Sequence, residues 1–163
     1  MDMILLLGVV TGMRTMTAMA VLCWAAWLGD IPEHGWAVWI AYLVSAIFFS
    51  ACATGEYVAD TLPRTPNRTD PGPAVARVVL GSLAGALVAT AIHEPIAGGI
   101  LFGGVGALIG TWGGFWVRMS LSRAAGRDLP VAIAESASAL ALAIFAVVRL
   151  HHGIVVEMRK AMS

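Results

Sequence analysis

The chain has 163 residues, 59% of them hydrophobic and only 12% charged, with a formal net charge of zero. A soluble domain carries about 25% charged residues, so a water-facing fold is excluded and most of the surface must meet lipid. The zero balance gives no basic signal for nucleic acid. Nine of the ten cations are arginines and one is Lys160, which favours contacts with carboxylate or phosphate.

A membrane span needs about 20 mainly apolar residues, and five segments qualify: 3–28, 36–54, 74–92, 96–117 and 130–150, followed by a tail, 151–163. The expected fold class is therefore all-α, a polytopic membrane helix bundle of about five transmembrane helices in a single domain, 1–163. The first segment begins Met-Asp-Met with no basic stretch, so it reads as a retained helix and not a signal peptide. It carries Arg14 about eleven residues in, roughly 16 Å deep at 1.5 Å per residue. The connections at 29–35 and 93–95 are short, so spans one and two, and spans three and four, read as helical hairpins. Each hairpin opens on a helix with an early arginine, Arg14 or Arg77, which raises a possible duplication.

The connection after the second span is longer and polar, with Pro63, Pro66, Pro71 and Pro73 blocking helix continuation. The side holding it and the connection near 120–129 carries Arg64, Arg68, Arg77, Arg118, Arg123 and Arg127, whereas the other two connections hold no Lys or Arg. Basic residues favour the cytoplasmic face. The expected topology therefore has a cytoplasmic N-terminus and an external C-terminus. Spans three and four carry small residues four apart, Gly81 and Gly85, then Gly99, Gly103, Gly106, Gly110 and Gly114. Such faces let helices approach closely, inside one chain or between copies. A homo-oligomer through these helices is the expectation.

Charge within apolar segments is costly and marks functional positions. Arg14 and Glu135 both qualify, and the economical arrangement pairs Arg14 with Glu135 or Glu56. Glu56 and Asp60 are four apart, on one helical face. Arg64 and Arg68 follow on the proline-rich loop, and Arg77 opens the third span. Two carboxylates beside three guanidiniums could hold an anionic headgroup, a phosphate or a carboxylate. They could equally form an ordinary cytoplasmic loop with a structural ion pair. Cys23 and Cys52 read as small buried hydrophobes. No metal-ligand spacing, nucleotide loop or hydrolase motif occurs. No cofactor or metal is expected, and an enzyme is less expected than a non-enzyme.

Thr11-Gly12-Met13-Arg14-Thr15, Gly55-Glu56 with Ala59-Asp60 and Leu62-Pro63, Pro66-Asn67-Arg68-Thr69, and Arg77 before Gly81 form a further pattern. It resembles the signature of a family of small bacterial integral membrane proteins, the forty-one-twenty-sixth in the series of domains of unknown function. Residues 131–136 resemble that family's fifth-span motif, with Ser136 where the pattern has Asp. The resemblance implies a bacterial cytoplasmic (inner) membrane location. It singles out Arg14, Glu56, Asp60, Arg68, Arg77 and Glu135 but implies no activity. The favoured reading is a permease or channel-like transporter for a small anionic or proton-coupled solute, with membrane lipids as surroundings. The alternatives are a lipid-phosphate-binding membrane protein or enzyme, and a scaffold subunit without ligand.

Overall fold

The structure, a computed structural model, describes residues 1–59, 70–125 and 128–162. Six α-helices follow in order: α1 (Asp2–Met13), α2 (Thr15–Leu28), α3 (Leu43–Ala59), α4 (Pro71–Ala91), α5 (Ile96–Ala125) and α6 (Asp128–Ala161). A 3-10 helix at Gly35–Ala41 precedes α3, and no strand occurs among the described residues. The all-α expectation holds. Among the described residues, three helices are long and apolar enough to cross a membrane: Pro71–Ala91, Ile96–Arg123 and Pro130–Lys160. The 3-10 helix and α3, bent by 66° at their junction, together make a fourth candidate.

The expected first span, 3–28, is two helices and not one. Arg14 adopts an extended backbone, φ −140° and ψ 101°, which ends α1 and starts α2. At 12 and 14 residues the two helices are about 18 and 21 Å long, each short of the roughly 30 Å hydrocarbon layer. The chain also doubles back. Met1 meets Gly98, and Met3 shares a cavity wall with Pro32 and Leu150. Arg14 lies beside Ala132, and Asp30 returns to His151. The α1–α2 unit is thus a helical hairpin with Arg14 at its tip. The N-terminus shares an end of the bundle with Asp30, the α4–α5 turn and Leu150. It does not lie with Glu56 and Glu135, as a single crossing would require. Hydropathy alone could not reveal this, because both arms of the hairpin are uniformly apolar.

Local signals explain the other boundaries. Gly29 closes α2 in the left-handed conformation, φ 82°, where a side chain is disfavoured, and its N–H reaches the Ala25 and Ala26 carbonyls. Pro71 and Pro73 open α4, where a missing N–H costs nothing. The α4–α5 hairpin expected from the short 93–95 connection is present, and α5 packs closely on α4 and on α1. Glycines make both contacts possible. A Cβ on Gly85 would collide with the Gly99 carbonyl, and one on Gly103 with the Gly81 carbonyl. On the other side, a Cβ on Gly106 would strike the Leu5 carbonyl, and one on Gly110 the Val9 carbonyl. The glycine faces on which self-association was expected are therefore occupied within the chain. The buried core runs through Ile4, Leu7 and Val10 of α1, Met19 and Leu22 of α2, and Leu87 of α4.

Candidate functional site

Breaking a helix inside an apolar bundle exposes carbonyls at the end of α1 and N–H groups at the start of α2, and each must find a partner. The tertiary structure supplies both. The Glu56 carboxylate, from the last turn of α3, accepts from the Thr15 N–H at 2.9 Å and the Met16 N–H at 3.0 Å, one on each oxygen. The Arg77 guanidinium, from the second turn of α4, donates to the Gly12 carbonyl at 2.9 Å. Glu56 and Arg77 lie 3.8 Å apart. Each charge also suits its helix end, because a helix carries partial positive charge at its N-terminus and negative charge at its C-terminus. Thr111 of α5 donates to the Ala107 carbonyl at 2.7 Å and reaches the Gly12 carbonyl at 3.5 Å.

Arg14, at the tip, is only 1% exposed. Its guanidinium donates to the Ala132 carbonyl of α6 at 3.4 Å and lies 5.2 Å from the centre of the Tyr57 ring, close enough for cation–π attraction. The Tyr57 hydroxyl is 2.7 Å from the Thr17 hydroxyl, tying α3 to α2 next to the break. Glu135, also buried, lies 3.8 Å from Arg118 of α5. Among the described residues, Glu56 thus approaches Arg77 and Glu135 approaches Arg118.

Of the residues selected from sequence, the fold brings Arg14, Glu56 and Arg77 together around one break in the chain. Glu135 lies on α6, about one helical turn beyond the Ala132 carbonyl that Arg14 contacts. Asp60, Arg64 and Arg68 lie outside the described residues. Sequence reasoning missed Tyr57, Thr17 and Thr111, and it placed Arg118 in a connection. Tyr57 directly follows Glu56, and Arg118 directly follows the expected end of span four, so both were one position from being found. Among the described residues no group of His, Cys, Asp and Glu could hold a metal ion.

The chemistry available here is charge in a largely buried setting. A carboxylate held by two backbone N–H groups and a guanidinium can exchange a proton or yield to another anion only if those contacts open. Compared with known proteins, the chain matches no family model, and no curated protein or solved structure matches it.

Proposed function

We propose that the chain is a small permease of the cytoplasmic membrane, moving a small anionic or proton-coupled solute past the α1–α2 tip. In this reading α4, α5, α6 and the bent α3 unit cross the membrane, while α1 and α2 form a re-entrant hairpin. The basic connections face the cytoplasm, so the hairpin enters from the outer side. The observation that carries the reading is the broken helix with Arg14 buried at its tip. Irregular backbone and charge at such depth are tolerated only inside protein or along a water-filled path. Broken helices whose ends face ionic groups are how many transporters build solute sites. The site is closed in this conformation, so passage requires the Glu56 and Arg14 contacts to open.

The test is flux through the purified protein in vesicles loaded with a pH-sensitive dye. Chloride, nitrate, phosphate and acetate gradients are imposed in turn. At least one gradient should dissipate well above the rate of protein-free vesicles, and Arg14→Met should abolish the difference. Rates equal to those of empty vesicles for every anion would overturn the reading. The runner-up, a lipid-phosphate-binding protein, is favoured by one observation, a groove between α5 and α6 that opens sideways.

A further inference from the structure

Helices α5 and α6 touch each other sparingly, although each packs well on α1. Between them runs a groove of about 850 Å³, with Val9 and Met13 of α1 at its back. Its floor on α5 is glycine, and a Cβ added at Gly113 would meet nothing within 4 Å. Its rims, Ile109 and Val117, are more than half exposed and belong to the apolar outer surface. Among the described residues, the charged side chains lining it are Arg118 and Glu135. Arg118 stands roughly 33 Å along α5 from Ile96 at 1.5 Å per residue, about the thickness of the hydrocarbon layer. With Ile96 at the opposite membrane surface, the Arg118 guanidinium would stand near headgroup level, at one end of the slot.

We infer that this groove binds one anionic phospholipid, with an acyl chain lying over Gly113 and the phosphate against Arg118. The lining matches a hydrocarbon chain along its length. The volume falls within the range of roughly 300–1,000 Å³ usual for ligand pockets. Arginine is the side chain whose geometry suits a phosphate, and anionic headgroups are drawn to basic positions at the cytoplasmic surface. Arg118 already approaches Glu135 at 3.8 Å, and a guanidinium carries five N–H donors, so a phosphate can be held beside that contact. The inference is independent of the permease reading, because it concerns the outer face of α5 and not the hairpin tip.

The test uses the full chain, stripped of lipid in detergent and titrated with dioleoyl phosphatidylglycerol or dioleoyl phosphatidylcholine. Bound lipid is counted by native mass spectrometry. The wild type should retain one phosphatidylglycerol in preference to phosphatidylcholine. Gly113→Leu projects into the slot from a position where an added Cβ meets nothing within 4 Å, and it should weaken retention at least 10-fold. Arg118→Gln should remove the preference between the two lipids. Should Gly113→Leu elute abnormally from a sizing column, Ala134→Phe fills the same slot from α6. Unchanged retention in a folded slot-filling variant overturns the proposal. So does a wild type without phosphatidylglycerol preference. Efficient self-crosslinking of Gly113→Cys in lipid vesicles would also overturn it, by showing the groove to be a contact between copies.

Discussion

The two sides of α5 behave oppositely. Toward α1 and α4 it presents Gly99, Gly103, Gly106 and Gly110, and on each of these a single methyl group would run into backbone. Toward α6 it presents Gly113, with open space above it. Glycine is thus used for close contact on one side and leaves a vacant slot on the other, within four turns of one helix. Small residues four apart do not by themselves say which use they serve. A packed face needs a partner whose own surface is equally small, and α1 and α4 provide it through Gly8, Gly12, Gly81 and Gly85.

The largest expected effect separates these two sides directly. Gly103→Leu should prevent folding, leaving no monodisperse species in mild detergent, because backbone cannot give way as side chains do. Overpacking a core already costs about 1–3 kcal/mol where neighbours can move. Gly113→Leu should lie within about 0.5 kcal/mol of the wild type, as surface changes do. Thermal unfolding of the two variants decides the matter. Equal losses would erase the distinction.

Next comes the polar seam on the packed side. Glu56→Gln or Arg77→Met alone should cost about 3–5 kcal/mol, the range for breaking a buried ion pair. The double variant should lose less than the sum of the two. A residual cost should remain, because Glu56 also caps α2, a role worth about 1 kcal/mol. Strict additivity would mean that the 3.8 Å approach of the two groups contributes nothing.

Much of this seam was legible in the sequence, and its geometry was not. Arg14, Glu56 and Arg77 stand out because charge inside apolar segments is expensive. The reading of residues 3–28 as one span failed because no proline or glycine pair marks the break. Arg14 is extended because Glu56 and Arg77, 42 and 63 positions later, satisfy the two new helix ends. A backbone conformation set by such distant partners leaves no local trace. The α4–α5 hairpin was legible because its short connection and its glycine spacing are both local. The Glu135–Arg118 pair was half legible, since the fourth span was ended one residue too early.

A smaller effect is expected at the edge of the seam. Tyr57→Phe removes the 2.7 Å contact with the Thr17 hydroxyl but keeps the ring beside Arg14. It should cost about 0.5–1.5 kcal/mol. Tyr57→Leu should cost more if the cation–π contact contributes. Equal unfolding temperatures for the two would remove that contact from the account.

The smallest effect lies at the far end of the bundle, away from both sides of α5. Burial pushes the Glu33 carboxyl up from 4.5 to about 7, and its Oε2 atom is buried without a hydrogen-bond partner. The folded state therefore binds this proton more tightly than the unfolded chain does. The stability it contributes is fully present below about pH 4.5 and is lost as pH rises toward 7. Asp30, His34, His93, Glu94 and His151 share this end and are common to both proteins, so the comparison uses a matched variant. Glu33→Gln should flatten the change in unfolding temperature between pH 5 and 7.5. An identical slope in both proteins would show that Glu33 does not drive it.

The capped break also has a consequence for the order of assembly. During synthesis, residues 1–28 emerge well before Glu56 and Arg77 exist. Until then the break has no partners, and a continuous helix through Arg14 is the arrangement that leaves fewest backbone groups bare in lipid. Only when α3 and α4 arrive does folding back at Arg14 become the cheaper state. The partners that make the hairpin the cheaper arrangement are thus supplied by residues made after the hairpin itself.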